Sequence, residues 1–435
     1  MAKTGLANCL FDQEGIARPF DFIALGGSSN GSYLNGHNYT YLGSSWGRVV
    51  DILITKQCMN PIIFIDELDK VSNSEYGKEI TGILTHLVDS TQNTAFQDKF
   101  FSGIDIDLSK ALFIFSYNDP SKIDPILLDR IHRIKFDKLT PFDKVVISRK
   151  YLIPEVNKKF GMSDDFITIS DETILFLIDH YTYESGVRKL KQLYFEIWGD
   201  INEQLLANDK CETKYSLSQD ALENIFLRER NKMIKTVIPS QPSIGIINGL
   251  WANAYGMGGV TPIQIKWFPC KTPLELKLTG MQGDVMKESM NVAKTIAWNK
   301  LSDEGQSTLW SSVSGDNQLC YGLHIHCPEG AVNKDGPSAG GAITTALISM
   351  FKQTKIDNQF AMTGEINLNG NITAIGGLEQ KLYYGIGAGV KVFAFPKDNL
   401  KDYEMFREKY CDKIAGFDKI KFYSVGHIDD VCALM

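Results

Sequence analysis

Residues 328–347 read PEGAVNKDGPSAGGAITTAL, a tight turn at Gly336-Pro337 that delivers Ser338 to the start of a helix. The small residues Ala339, Gly340 and Gly341 let a neighbouring backbone come close. A serine at a helix N-terminus lies near unpaired N–H groups, which can stabilise an oxyanion. Ser338 is therefore a candidate nucleophile, although a plain N-cap serine would look the same on this stretch alone.

A nucleophilic serine needs a base, and residues 362–391, MTGEINLNGNITAIGGLEQKLYYGIGAGVK, offer one. They predict a hairpin-like strand pair, a Gly376-Gly377 turn and a short helix bearing Lys381. A lysine serves as base when burial lowers its pKa, and Ser-Lys pairs are a known variant of the triad. Thr363 is placed to hold the amine by a hydrogen bond, and Glu365 to tune the local field. His324 and His326 alternate on LHIHCP (323–328) and share a face. With no acidic partner following them, they read as structural.

Around this pair, strands such as VKVFAFP (390–396) alternate with helices such as SAGGAITTALISMF (338–351), an α+β pattern. KTVIPSQPSIG (235–245), with two prolines, is a candidate linker before it. From about Pro141 to Lys235 the apolar period is helical, which predicts a helical subdomain. Further upstream, FDFIAL (20–25), PIIFIDE (61–67) and ALFIFSYN (111–118) are continuous apolar runs ending in polar residues. Such runs suit a parallel sheet covered on both faces, with ligands at the carboxyl ends of its strands.

At one such end, Asp66 can hold the Mg²⁺ of a nucleotide and Glu67 can polarise an attacking water. A strand followed by an acidic turn is the plainer alternative. Asn118, ending the next run, suits orienting a water near a γ-phosphate. Arg130 in LLDRIHRIKF (127–136) could reach phosphates on a neighbouring subunit, and Arg188 in ESGVRKL (184–190) could supply a second cation. Either also reads as a surface ion-pair partner. Of a phosphate-cradling GxxxxGK[ST] loop the chain offers only Ala2-Lys3-Thr4. Either the site is degenerate or, as expected here, the sequence opens inside that loop, with Lys3 and Thr4 as its end and Thr4 beside Asp66 as a Mg²⁺ ligand.

The chain has 435 residues, 43% hydrophobic and 22% charged, a soluble globular profile with room for two or three domains. Its net charge of −7 argues against a general nucleic-acid-coating role, leaving DNA association through a local basic patch open. The eight cysteines are scattered without a CxxC pair, which points to free thiols in a reducing compartment. MAKTGLANCL lacks the apolar run of a signal peptide, and nothing approaches a membrane span of about 20 apolar residues. Cytoplasm or an organelle matrix is expected, and the Asn/Lys/Ile leaning suggests an A+T-rich genome such as a large DNA virus.

Together FIDELDK, LLDR, SGVRKL, PEGAVNKDGPSAG and TGEINLNGNITAIGGLEQKL strongly resemble the Lon family of ATP-dependent proteases, from Lys3 to about Leu434. The resemblance implies an α/β AAA+ nucleotide-binding domain over 1–139, a small helical subdomain over 140–236 and an α+β Lon-type peptidase domain over 243–435. It implies ATP and Mg²⁺ as cofactors, Asp66 and Glu67 as the Walker B pair, Asn118 as first sensor, Arg130 as arginine finger and Arg188 as second sensor. It further implies a Ser338–Lys381 dyad with Thr363 supporting the lysine, unfolded or damaged proteins as substrates, and a homo-hexameric ring. GHNYTYLGSSWG (36–47) looks like the family's pore loop, with Tyr41 and Leu42 gripping polypeptide; both could instead be core residues of an irregular loop. The residues given show neither the family's amino-terminal recognition region nor most of Walker A, and the expectation is that an upstream portion is missing. An unfoldase or scaffold whose peptidase half only assembles the ring, and an ATPase-deficient fragment, remain as rivals.

Overall fold

The computed structural model describes residues 18–26, 30–72, 74–136, 138–208, 214–233, 236–253, 256–280, 283–314, 320–328 and 336–435. The chain divides into two compact units, Met1–Asp137 and Lys138–Met435.

In the first unit the three apolar runs become β1 (Phe20–Ala24), β2 (Ile62–Asp66) and β3 (Leu112–Phe115), parallel and in that order. Central β2 is covered on both faces, with Ile62 to Ile65 all buried. Helices α1 (Arg48–Lys56) and α2 (Glu75–Val88) supply Val49, Ile52 and Leu53, and Ile80, Leu84 and Leu87, at helical spacing. A third helix, α3 (Pro125–Arg130), begins with Pro125 in its first turn and the Asp124 side chain capping Ile126 N–H. The third run stops short of expectation. β3 ends at Phe115, because Ser116 N–H donates to Ile65 O at 2.9 Å while Ser116 O accepts from Leu68 N–H at 3.0 Å. These bonds draw the chain across the tip of β2.

In the second unit, α4 (Pro141–Ile147) opens with a capping box between Thr140 and Asp143. It continues through a π turn at Ser148–Leu152 into α5 (Ile153–Phe160). Pro154 has no N–H to give to the carbonyl four residues back, a physical reason for the widened turn there. α6 (Asp171–Tyr181) and α7 (Arg188–Asn208) close the bundle. α7 buries Leu190, Tyr194, Ile197, Trp198 and Ile201 on one stripe, and Trp198 Nε1–H donates to the buried Asn157 Oδ1 at 2.7 Å. This region is not purely helical: β4 (Ile167–Ile169) and β5 (Tyr215–Leu217) form a parallel pair. FITIS alternates apolar and polar residues, a strand signal too short to stand out against the helices around it.

The remaining residues build a seven-stranded mixed sheet. Its strands are β6 (Ile246–Ala252), β7 (Gly258–Cys270), β8 (Leu276–Thr279), β9 (Cys320–His326), β10 (Phe360–Met362), β13 (Val392–Pro396) and β14 (Lys421–Val425), in the order β14-β13-β10-β6-β7-β9-β8. The short antiparallel pair β11 (Glu365–Ile366) and β12 (Ile372–Thr373) is the hairpin read from the sequence. Helices α8 (Asp284–Asn299) and α10 (Gly340–Lys352) pack together beneath the sheet, with α9 (Asp303–Ser314) between them in the chain. Every residue from Gly340 to Phe351 is buried, and the Thr344 and Thr345 hydroxyls donate to Gly340 O and Gly341 O at 2.8 Å each. The remaining helices are α11 (Leu378–Gly387), α12 (Leu400–Tyr410) and α13 (Ile428–Cys432).

The candidate linker is not a free tether along its described length. Ser243 and Ile356 exchange N–H···O bonds of 3.2 and 3.1 Å, Asn358 Nδ2–H donates to Pro239 O, and Gly245 N–H donates to Ser349 Oγ. Its prolines mark an irregular segment docked on the peptidase body, which local composition cannot tell from a flexible one. No helix among the described residues is long and apolar enough to cross a membrane. The six described cysteines are free thiols.

Gly280, at φ +109°, ends β8 where an added Cβ would lie 2.0 Å from Cys327 O. Gly280→Ala is expected to destabilise the second unit by about 2–4 kcal/mol, read as a lowered denaturant midpoint.

Candidate active site

The site lies where β10 ends. Thr363 follows β10 directly and continues its ladder, donating its N–H to Ala394 O at 3.1 Å. Its side chain is fully buried. Gly364 N–H donates to Ser338 O at 2.8 Å and Gly341 N–H to Gly364 O at 2.9 Å, so the serine segment is stitched to the end of β10. Such closeness needs glycine: a Cβ on Gly341 would fall 2.4 Å from Met362 Cε, and one on Gly340 2.6 Å from Ser289 Oγ.

Ser338 does not open the helix as expected. It sits in a 3₁₀ turn, Pro337–Ala339, and α10 starts at Gly340 with Ala339 at the N-cap and no side-chain cap bond. The plain N-cap role is therefore not what this serine does. Pro337, with its fixed φ, suits the first position of this turn.

Lys381 stands on α11 with only 3% of its surface exposed, and its Nζ–H donates to Thr363 Oγ1 at 3.1 Å. Thr363 Oγ1–H donates onward to Ser338 O at 3.3 Å. One hydroxyl thus joins the lysine amine to the serine backbone. Burial pushes the Lys381 pKa down to about 8, and no charged neighbour contributes. Glu365 takes no part, being exposed on β11. His324 and His326 do share a face, but both rings meet Thr279 Oγ1, at 2.9 and 2.7 Å, in a hydrogen-bonded group on β8 and β9.

The second candidate centre is the tip of β2. Asp66 Oδ1 accepts from Ser116 Oγ–H and from Glu67 N–H, the latter at 3.0 Å. Glu67 adopts a left-handed conformation, φ 59°, and a Cβ on Gly26 would collide with Glu67 Oε2 at 2.0 Å. The glycine after β1 thus leaves that carboxylate a place beside the strand ends. Asn118 is exposed three residues beyond β3, and the polar group touching Asp66 is Ser116. Arg130 pairs with Asp89, Nε to Oδ2 at 3.1 Å, while hydrogen bonds from Thr91 and then Arg130 hold Asp89 down at about 2. Arg188 is exposed at the first turn of α7, where the Glu184 carboxylate accepts Lys189 N–H and Leu190 N–H at 2.9 Å each. Lys3 and Thr4 lie outside the described residues.

Tyr41 and Leu42 are not core residues. They stand 66% and 108% exposed on a turn flanked by Gly36 and Gly43, both at positive φ. Trp46, at the base of this loop, stacks on Phe101 and meets Phe100 edge-on, tying it to a second loop closed by the Phe96–Ile106 bridge. Asp98, fully buried, accepts Gly47 N–H and Phe100 N–H at 2.8 Å and locks the two loops together.

With this geometry in place, comparison with known proteins becomes informative. Residues 218–435, half of the chain, match the Lon protease (S16) C-terminal proteolytic domain. The chain belongs to the Lon protease family. Residues 158–211 match the Lon protease AAA+ ATPase lid domain, and residues 1–139 match the ATPase family associated with various cellular activities, which implies nucleotide use. Relatives include a Lon protease homolog of Acanthamoeba polyphaga mimivirus, 35% identical over 99% of this chain and 47% of that protein. A Lon protease of Campylobacter concisus is 37% identical over 92% of this chain and 50% of its own length. One of Mycoplasmopsis agalactiae is 33% identical over 99% and 41%. The chain spans about half the length of the curated relatives it matches.

Two contributors escaped the sequence reading of this Lon family chain: Ser116 on Asp66, and the loop 96–106 with Ile104 exposed at its tip. The aromatic pair Phe100-Phe101 was the only sequence hint of the latter.

Lys381 also carries a pH signature. Its folded pKa of about 8 lies below the 10.5 of an ordinary lysine, so below pH 8 the buried ammonium destabilises the fold, and that burden lifts as pH rises from 8 to 10.5. Lys381→Met is expected to raise stability at pH 7, by on the order of 3 kcal/mol, and to abolish its gain with pH in that window. Denaturant midpoints of both proteins at pH 7 and pH 10 check this.

Proposed function

We propose that this chain is the ATPase and peptidase portion of an ATP-dependent serine endopeptidase that degrades unfolded or damaged proteins. The observation that carries the reading is a lysine amine withdrawn from water, with no ion-pair partner among the described residues, and joined through Thr363 to the backbone of Ser338.

In the proposed reaction, neutral Lys381 takes the proton of Ser338 Oγ as that oxygen attacks the peptide carbonyl carbon. The carbon–nitrogen bond breaks, and the departing amine takes the proton back from the Lys381 ammonium. Water then attacks the acyl carbon, giving a proton to Lys381; the bond from that carbon to Ser338 Oγ breaks and the Lys381 ammonium returns the proton to the departing oxygen, which restores both residues. Thr363 keeps the amine aimed throughout.

The tip of β2 fits a Mg²⁺-nucleotide: Asp66 is a hard oxygen donor at the carboxyl end of the central parallel strand, and Gly26 keeps the Glu67 carboxylate beside it. Asp66 with Thr4 would hold the ion, which when bound shields phosphate charge. Lys3 would contact the phosphates, Glu67 would polarise the attacking water and Asn118 would orient it. Arg130 would serve a neighbouring subunit of a hexameric ring and Arg188 its own nucleotide. The pair that Arg130 makes with Asp89 is open to solvent, so water can replace it when Arg130 moves. Exposed Tyr41 and Leu42 would grip polypeptide in the ring's channel. A cytoplasmic or organelle-matrix setting suits the free thiols, and the mimivirus relative supports a viral source.

Ser338→Ala and Lys381→Ala should each lower casein and small-peptide cleavage by about 10³-fold or more. Thr363→Val should cost about tenfold or more in kcat. For the parent, kcat/KM should climb tenfold per pH unit to a plateau above about 8. Glu67→Gln should stop ATP hydrolysis while small-peptide cleavage continues. Full casein degradation by Ser338→Ala would overturn the assignment.

A further inference from the structure

Helix α11 is held from two sides. Leu378, Lys381, Leu382 and Gly385 form its buried stripe, against Leu250 of β6 and Val260 of β7. Glu379 and Tyr383, one turn apart, form a second stripe, met by α12 at both residues and by α4 at Tyr383. Phe142, in the first turn of α4, lies edge-on to Tyr383 with ring centroids 6.0 Å apart, and 5.8 Å from the ring of Tyr410 on α12. Tyr410 O–H donates to Glu379 Oε1 at 2.9 Å, and Lys409 Nζ reaches Glu379 Oε1 at 3.1 Å and Asp143 Oδ2 at 3.8 Å. Lys413 Nζ caps the outer face of the Phe142 ring at 5.6 Å.

The arrangement gives the two sides of α11 different work. One side carries Lys381 to Thr363; the other is an aromatic and ionic seat supplied by α4 and α12. The helix enters from Gly376 and Gly377, the latter at φ +72° and making no side-chain cap bond, so no side-chain cap holds its first turn. Packing on both sides of α11 supplies the restraint, the seat on one of them. It also excludes water: Tyr383 and Tyr384 are pushed up by burial, with a further push from Asp179 of α6.

We infer that Phe142, on the helical subdomain, is a positioning residue for Lys381, seating the base-bearing helix through Tyr383 and Tyr410. The inference rests on the Ser338–Lys381 reading above. Charged groups around α11 are Asp143, Asp179, Glu379, Lys409 and Lys413, all at the seat, with the phenols of Tyr383, Tyr384 and Tyr410. β6 has no charged residue, and the one on β7, Lys266, pairs in register with His324 of β9. Loosening the seat therefore acts on Lys381 by letting water in. Water relieves the burial that holds the amine's pKa down, so that pKa should move up and less neutral base should be present at neutral pH.

The test is hydrolysis of a short fluorogenic peptide by the full chain, with active serines counted by a fluorophosphonate label. Phe142→Ala should lower kcat at pH 7.5 tenfold or more, leave KM within twofold, and move the rising limb of the pH profile up by half a unit or more. Tyr383→Leu, from the other side of the contact, should give the same shift, and Phe142→Tyr should stay within threefold of the parent. Parent-like kcat and pH profile in Phe142→Ala, alongside an inactive Lys381→Ala, would overturn the positioning role and leave the dyad standing. So would a loss that only tracks the number of labelled serines with an unmoved pH profile. Full activity in Lys381→Ala would remove the dyad and this inference with it.

Discussion

In the proposed mechanism, everything at the peptidase end depends on keeping one amine dry. An ordinary lysine on a short helix would stay in water and stay charged, useless as a base near neutral pH. Lys381 is instead 3% exposed and meets a neutral hydroxyl, which satisfies one N–H without restoring the charge. That burial carries a stability penalty on the order of 3 kcal/mol at pH 7, offset elsewhere in the domain. The offset comes from helix α10, buried on every side, whose Ile343, Leu347 and Ile348 each contribute about 1.5–3 kcal/mol.

Thr363 concentrates several requirements in one residue. Its N–H extends the β10–β13 ladder, its hydroxyl donates to Ser338 O, and the same oxygen accepts from Lys381. Valine would fill the space and make neither side-chain bond. The two glycines after Ala339 serve the same closeness, because any side chain there would strike Met362 or Ser289. The tip of β2 follows a similar logic with opposite charge. There a carboxylate is held by Ser116, and a glycine keeps room for its neighbour.

Much of this was legible in the chain. The three upstream strands, the hairpin around residues 365–373 and the short helix bearing Lys381 followed from apolar runs and turn residues. What was not legible depended on partners distant in sequence. Asn118 looked like the end of a strand because Tyr117 follows the apolar run 111–115 after a single serine, yet that serine, Ser116, already meets Asp66 at the end of the neighbouring strand. The segment 235–245 looked like a linker because prolines and polar residues read alike whether tethered or free; its bonds to Ile356, Asn358 and Ser349 join residues more than a hundred positions away.

By itself, the sequence determined which chemistry was on offer: a serine after a tight turn, a lysine after a Gly-Gly turn, and paired carboxylates at the end of an apolar strand. Local periodicity and turn chemistry are properties of neighbours in the chain, so they survive without a fold. Only the tertiary structure decided that Ser338 precedes α10 rather than capping it, and that Lys381 is buried rather than solvated. It alone decided that Glu365 and the histidines stand apart, and that Phe142 on α4 meets the lysine's helix at Tyr383. Burial and close approach are set by elements distant in sequence, and desolvation, the force that makes a lysine a base, exists only once those elements have closed over it.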